Sequence, residues 1–144
     1  MKHMPAAGFV IVDVDRCPET AKILDIKYLV LETHEGDYDI PKGQIDKGET
    51  SLEAAYRELY EEASIKPKDI ILTWGLVHTE INEDLNIYIA EIKKSSLKNV
   101  KIGINPVSLI KEHKQFHWKN VQLAESKLLF YMKGLFDWSN SLIL

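Results

Sequence analysis

Three glutamates in one turn of a predicted helix, Glu58, Glu61 and Glu62, are the residues of this sequence best placed to do chemistry. Side chains three and four positions apart lie on one face of a helix, so these carboxylates repel one another by about 0.2–0.5 kcal/mol per pair. A bound cation would offset that repulsion, because carboxylate oxygens are ligands that Mg²⁺ takes in proteins. The spacing therefore predicts a divalent-cation site on this face of the helix.

An arginine stands among these acids in a chain whose basic residues are otherwise almost all lysines. The arginines are Arg16 and Arg57 alone. Arg57 stays charged and can bond two carboxylates at once, so we expect it to brace Glu49 from the preceding loop and Glu61 from the next turn. Its predicted task is to orient the ligands. Gly43, which has no side chain, would let the loop backbone pass close to the cation.

The net charge of −4 is concentrated around these residues. The segment from Asp39 to Glu62 holds seven acidic and three basic residues, so the remainder of the chain is neutral. A neutral remainder lacks the basic footprint of a nucleic-acid-binding protein, whereas one acidic segment favours a cation site. The competing interpretation is a solvated helix face, which is the usual role of clustered glutamates.

The elements that position the acids can be predicted from the residue pattern. The runs AAGFVIVDVD and KYLVLE are typical of two paired strands, and the polar stretch from Thr33 to Glu49 predicts a loop. Thr50 and Glu53 form the pattern of a capping box at a helix start. For Glu53 we therefore prefer a capping role, and for Tyr56 and Tyr60 a packing or rim role.

Downstream of Pro67, which ends the helical pattern, the chain returns to strands. IILTWGLVHTE and LNIYIAEIKK predict two long strands joined by a turn at INED, and a short strand is expected at 116–118. From Asn120 the apolar spacing predicts one closing amphipathic helix. Strands and helices are mixed without regular alternation, so the predicted fold class is α/β (α+β), a mixed sheet flanked by helices.

The bulk properties are those of one globular domain covering residues 1–144. No long uncharged apolar run is present, and Asp13 and Asp15 interrupt the apolar N-terminal run, which excludes a membrane partner and fits a secretory signal poorly. With Cys17 as its one cysteine, the chain forms no internal disulfide. These features predict a reducing, cytoplasmic location.

The spacing of the acids resembles the signature of the Nudix hydrolase family, G-x5-E-x7-R-E-U-x-E-E-x-G-U, where U is aliphatic. The matching residues are Gly43, Glu49, Arg57, Glu58, Leu59, Glu61, Glu62 and Ile65. A solvated face would not require the glycine, glutamate and arginine at these fixed offsets. One position departs: Ser64 replaces a glycine, and we expect it at the helix C-terminus, where a left-handed backbone suits glycine better.

Two flanking segments resemble the asymmetric diadenosine tetraphosphate hydrolases within that family. DIPKGQIDKGE is similar to their PPKGH segment, and also to the related bacterial enzymes that remove pyrophosphate from RNA 5′ ends, which gives Lys42 the role of contacting a substrate phosphate. KEHKQFHW is similar to HEHQAYRW, which makes Glu112 an acid that faces the helix from a loop and Phe116 the ring that stacks an adenine. A core position beside Trp118 is an equally good interpretation of Phe116. His113 and the histidine at 117 are interpreted as structural or solvent-facing, since magnesium prefers oxygen ligands.

The resemblance implies a Nudix α/β/α sandwich and an enzyme that uses Mg²⁺, with Mn²⁺ able to substitute. The ligands that it implies are the Gly43 carbonyl, Glu58, Glu61, Glu62 and Glu112. The residues that it assigns to catalysis are Glu49, Arg57, Glu61 and Glu112, and either Glu61 or Glu112 is the general base.

The implied reaction is hydrolysis of a pyrophosphate bond in a nucleoside diphosphate derivative, with diadenosine tetraphosphate as the expected substrate. The alternatives are ADP-ribose, FAD or nucleotide sugars and, third, the 5′ end of RNA, which the neutral remainder of the chain disfavours. A binding module that had lost catalysis would have lost some of the acids, and here the helical acids and Arg57 are present. We expect a small nucleotide as the partner and a monomer or homodimer as the assembly.

Overall fold

The computed structural model describes residues 5–82 and 84–144. In these ranges the chain forms eight strands and three α-helices. The strands are β1 (Ala6–Arg16), β2 (Ile23–Thr33), β3 (Tyr38–Asp39), β4 (Lys42–Gln44), β5 (Ile70–Ile71), β6 (His78–Glu80), β7 (Leu85–Ile92) and β8 (His113–Lys119). The helices are α1 (Ser51–Ala63), α2 (Val121–Ser126) and α3 (Leu135–Ile143). None of them is long and apolar enough to span a bilayer.

Strand β1 is the centre of one mixed sheet. It pairs antiparallel with β2 and β4 and parallel with β7. The sheet is extended by β3 and β8 on β2, and by β5 and β6 on β7, all of them antiparallel. The predicted pairing of the first two strands and the predicted mixed sheet are confirmed.

Alternate residues of β1 face two separate apolar cores, because successive side chains of a strand point to opposite faces. Phe9 and Ile11 pack in the core beneath α1. Val10 and Val12 pack in the core that α2 and α3 cover. The molecule is therefore an α/β/α sandwich, as predicted, with the glutamate-bearing helix on one face of the sheet.

Both ends of α1 match the sequence-based expectation. The Thr50 hydroxyl accepts from the Glu53 N–H (3.1 Å), and the Glu53 carboxylate accepts from the Thr50 N–H (2.9 Å). Ser64 follows the helix with φ of 61°, in the left-handed region. Its N–H donates to the Tyr60 carbonyl at 2.9 Å, so one of the free carbonyls of the helix end is satisfied.

Two predicted elements upstream of β7 are wrong in extent. The loop predicted between Thr33 and Glu49 contains β3 and β4, which pair with β2 and β1. The long strand predicted from Ile70 to Glu80 is divided into β5 and β6, with Gly75 at φ of 79° between them. The turn predicted at 81–84 includes Glu83, which lies outside the described residues.

The single closing helix is also wrong, because the backbone between α2 and α3 pairs with β3 instead. The Tyr38 N–H donates to the Lys127 carbonyl (2.7 Å), and the Leu129 N–H donates to the Tyr38 carbonyl (2.9 Å). Gly134 then adopts φ of 94°, and the Glu125 carboxylate accepts its N–H (3.0 Å) at the start of α3. These contacts join residues distant in sequence, so helical periodicity does not report them.

Candidate active site

Strand β4 passes so close to α1 that a side chain at Gly43 would displace the carboxylate of Glu58. A Cβ atom there would lie 2.2 Å from the carboxylate carbon of Glu58. One residue earlier, the Lys42 N–H donates to Glu62 Oε1 at 3.0 Å. The strand and the helix therefore meet through two of the predicted ligand residues, which explains the need for glycine at the first position of the motif.

Arg57 connects the loop, the strand and the helix. Its Nε and Nη2 donate to the two oxygens of Glu49 at 2.7 and 3.0 Å, a bidentate pair. Its Nη1 donates to Glu58 (2.9 Å) and to Glu61 (3.2 Å), and Nη2 also donates to the carbonyl of Gln44 (2.8 Å). The expected contacts with Glu49 and Glu61 are present. Those with Glu58 and Gln44 were not anticipated from the sequence.

Two acids of the helix, Glu58 and Glu62, lie where negative charge is unfavourable without a counter-ion. Burial raises the pKa of Glu58 to about 7, with the nearby Glu61 adding to the effect against the opposing Arg57. Burial also raises the pKa of Glu62 to about 10, and the neighbouring acids contribute to it. Hydrogen bonding to Glu49 raises the pKa of Arg57, so its guanidinium remains charged. The site therefore favours an added positive charge.

Glu112 approaches this helix face from the loop that precedes β8. Ligand atoms of Glu62, Glu112 and His113 all lie within 4.8 Å of one another. Glu112 is exposed, whereas His113 is buried and its Nε2 lies 3.0 Å from Asp39 Oδ2. The alternative of a solvent-facing His113 is therefore wrong, and the buried, structural alternative agrees with the contact to Asp39.

The donor set fits a hard divalent cation. A cavity of about 270 Å³ lies between the helix, β4 and the Glu112 loop. It is lined by Lys42, Gly43, Gln44, Glu58, Glu61, Glu62, Gly103, Asn105, Pro106, Glu112 and His113. Four glutamates converge on it, and carboxylate oxygens are the ligands that Mg²⁺ and Mn²⁺ accept.

Lys42 is held in the same cavity by an acid whose importance the sequence did not indicate. Its Nζ lies 3.1 Å from Asp39 Oδ1 and 5.5 Å from the centre of the Tyr131 ring. Burial opposes the charge of Lys42, but Asp39 outweighs it and raises the pKa. Burial likewise opposes the charge of Asp39, and the bonds to His113 and Lys42 lower its pKa. The sequence contains one indication of this role, because Asp39 is a charged residue between two residues, Tyr38 and Ile40, of the kind that fill a core.

Phe116 lies on β8 opposite Leu31 and is half-buried. It packs with Trp118 against the core beneath α1. It is not among the described residues that line the cavity. Its position thus agrees with the packing alternative. Unlike Lys42, Glu61 and Glu112, it does not line the cavity in the part of the chain that the structure describes.

Two cavity residues, Gly103 and Asn105, were missed by the sequence analysis. The Gly103 N–H donates to the Glu62 carbonyl at 3.1 Å, and Asn105 Nδ2 donates to Glu112 Oε1 at 2.6 Å. Both roles depend on how the loop folds back onto the helix. A glycine and an asparagine before a proline indicate only a turn in the sequence.

Comparison with known proteins places this arrangement in a family. A family model described as the NUDIX domain matches residues 2–134. The asymmetrical bis(5′-nucleosyl)-tetraphosphatase of Rattus norvegicus is 32% identical over 105 residues, which are 69% of this chain and 67% of that protein. An RNA pyrophosphohydrolase of Pelagibacter ubique is 37% identical over 79 residues, 54% of this chain and 46% of that protein.

Solved structures agree on the fold. An Ap4A hydrolase of C. elegans, solved as a binary complex, matches with a TM-score of 0.72 and 20% identity over 98% of both chains. The NUDIX domain of Shewanella oneidensis NrtR, complexed with ADP ribose, matches with a TM-score of 0.64 and 13% identity over 100% of this chain and 90% of that one. With a NUDIX model covering most of its length and a relative above 30% identity, the chain belongs to the Nudix hydrolase family and is an enzyme of the pyrophosphohydrolase class.

Proposed function

We propose that this protein hydrolyses dinucleoside polyphosphates, with diadenosine tetraphosphate as the main substrate. The observation that carries the proposal is the position of Glu112 across the cavity from Glu62, with the partly buried Lys42 lining the same cavity. The ammonium of Lys42 thus lies beside several carboxylates, where it can contact a phosphate chain. The 32% identity to the rat tetraphosphatase supports the same substrate class.

Glu58, Glu61, Glu62 and Glu112, together with the Gly43 carbonyl, would hold Mg²⁺, and Mn²⁺ would substitute for it. When bound, the cation supplies Lewis-acid polarisation of phosphoryl oxygens and lowers the pKa of a coordinated water. The mutual repulsion of these carboxylates would be relieved by the bound cation, which favours its binding. Arg57 orients three glutamates of the site, Glu49, Glu58 and Glu61, by direct hydrogen bonds.

Charge neutralisation and proton transfer are performed by side chains of the cavity. Lys42 offsets charge on the phosphate chain, and its pairing with Asp39 keeps the ammonium in the cavity. Glu61 or Glu112 takes a proton from the attacking water. Glu61 is engaged by Arg57 at 3.2 Å, and Glu112 by Asn105 at 2.6 Å, so each is oriented and neither is preferred by geometry alone.

A second activity, removal of pyrophosphate from RNA 5′ ends, is favoured by the Pelagibacter relative, whose match covers 54% of this chain. It would use the same cavity. The charges outside residues 39–62 sum to zero, which does not favour binding of a long polyanion, so we place this activity second.

The test is product analysis by chromatography on purified protein. Diadenosine tetraphosphate, ADP-ribose, FAD and 5′-triphosphorylated RNA are incubated with Mg²⁺, with Mn²⁺ and with a chelator. We expect fastest turnover of diadenosine tetraphosphate, asymmetric cleavage to ATP and AMP, and no turnover with chelator. Glu62→Gln serves as the matched inactive protein. Faster cleavage of any other substrate, or symmetric products, would overturn the proposal.

A further inference from the structure

The loop that carries Glu112 is fixed at its start to the end of α1. The Gly103 N–H donates to the Glu62 carbonyl and the Lys101 N–H donates to the Ala63 carbonyl, both at 3.1 Å. An α-helix leaves these last carbonyls without partners of its own. A Cβ atom at Gly103 would lie 1.7 Å from the carbonyl oxygen of Glu61. The loop therefore starts in direct contact with the helix turn that bears the glutamates.

Asn105 then closes the loop on itself. Its Oδ1 accepts from the N–H groups of Val107 (2.8 Å) and Ser108 (3.0 Å). Its carbonyl accepts from the Leu109 N–H (2.8 Å), and its own N–H donates to the Ile110 carbonyl (2.9 Å). The backbone and the side-chain oxygen of Asn105 are thus used to shape the loop, which leaves the amide nitrogen for another partner.

That partner is Glu112, since Asn105 Nδ2 donates to its Oε1 at 2.6 Å. Glu112 is an exposed residue on a loop, and such a side chain samples several rotamers unless a contact selects one. We propose that Asn105 is a positioning residue, which holds Glu112 in the rotamer that faces the helix glutamates. The effect on catalysis rests on the proposed function, whereas the contact between Asn105 and Glu112 is independent of it.

Asn105→Asp separates this role from the shaping of the loop. An aspartate keeps the oxygen that accepts from Val107 and Ser108, because both residue types make this kind of turn. It replaces the donor to Glu112 with a second carboxylate oxygen. A residue that only shapes the loop would tolerate this change, whereas a positioning residue would not. Asn105→Ala removes both the turn contacts and the contact with Glu112. Val107→Ala, at a side chain that is 90% exposed, is the control for a substitution elsewhere in the same loop.

The experiment measures kcat and KM on the substrate that wild type cleaves fastest. Asn105→Asp is expected to lower kcat by about 10–100-fold, the usual loss when the partner of a ligand residue is removed, with KM unchanged. In a Glu112→Gln background the same substitution is expected to have no further effect, because Asn105 acts through Glu112. Val107→Ala is expected to match wild type. A wild-type kcat in Asn105→Asp, or an equal loss in the Glu112→Gln background, overturns the proposal.

A urea-unfolding cycle of Asn105→Ala, Glu112→Ala and the double variant, without added metal, tests the contact independently of turnover. A favourable coupling free energy is expected, and a coupling within error of zero overturns the contact. Absence of turnover on every substrate by wild type would instead overturn the proposed function, and the unfolding cycle would still decide whether Asn105 holds Glu112.

Discussion

The carboxylate of Glu58 occupies the space that a side chain at Gly43 would need, with 2.2 Å between its carboxylate carbon and an ideal Cβ position. Real Cβ atoms do not approach other atoms so closely. Glu58 can therefore keep this position only if the motif opens with glycine, independently of any contact between the Gly43 carbonyl and a cation.

Gly43→Ala should displace Glu58 and lower turnover, since a shift of about 1 Å in a site residue is enough to cost on the order of 100-fold. Gly36→Ala is the matched control. Gly36 has φ of 96° and no atom within 4 Å of its ideal Cβ, so alanine there strains the backbone without crowding the site. Steady-state kinetics should separate the two, and near wild-type turnover in Gly43→Ala would contradict the crowding argument.

Glu62→Gln should reduce turnover by more than about 100-fold, because loss of a ligand should cost at least as much as loss of its outer partner. The fold should persist. Glutamine keeps the oxygen that accepts from the Lys42 N–H, and it removes a carboxylate whose ionisation burial opposes. Equal or higher urea-unfolding free energy of the metal-free variant, measured against wild type, checks this. Glu58→Gln should behave alike, and retained turnover in either variant would exclude the ligand role.

Arg57→Lys should lower turnover by about 10–100-fold, although it retains the positive charge. A lysine cannot reproduce the bidentate pair with Glu49 and also reach Glu58 and Glu61, because it lacks the planar fork of five donors. Metal titrations monitored by activity should show weaker Mg²⁺ binding, seen as a higher half-saturating Mg²⁺ concentration. An unchanged half-saturation and an unchanged turnover would show that bracing is not the task of Arg57.

The signature predicts the site more completely than the strand and helix patterns predict the fold. The offsets among Gly43, Glu49 and Arg57 predict this part of the site because the strand, loop and helix that carry them follow one another directly in the chain. The buried contact of Asp39 with His113 joins segments far apart in sequence, and the contact of Asn105 with Glu112 depends on how the loop between them folds. Such contacts leave no periodic pattern, and for the same reason the break between α2 and α3 could not be predicted.

Ser64→Gly tests the departure from the signature. A non-glycine residue with φ of 61° costs about 1 kcal/mol relative to glycine, whereas the Ser64 hydroxyl donates to the Lys101 carbonyl at 3.0 Å. Ser64→Ala removes that bond and keeps the strained backbone. The glycine variant should therefore be about 1 kcal/mol more stable than the alanine variant in urea unfolding, with both retaining turnover. Equal stability would show that the left-handed backbone carries no penalty at this helix end.

Phe116 has two competing roles, stacking on a base of the substrate and packing, since it lies against the core beneath α1 beside Trp118. We retain the proposal that its ring stacks a base, and Phe116→Leu separates the two roles. Leucine keeps most of the apolar volume but lacks the flat ring, whose stacking contributes about 1–3 kcal/mol. The stacking role predicts a KM for diadenosine tetraphosphate raised roughly ten- to a hundredfold, little change in kcat, and near wild-type stability.

Glu112→Gln is the comparison for that measurement, because it should lower kcat with little change in KM. The two substitutions are then distinguished by which kinetic constant moves, on one substrate and under one metal concentration. Lower stability of Phe116→Leu in urea unfolding with an unchanged KM would assign the ring to packing alone. In that case the base would be held outside β8, and the partly exposed Tyr131, whose ring lies 5.5 Å from Lys42 Nζ, would be the next side chain to substitute.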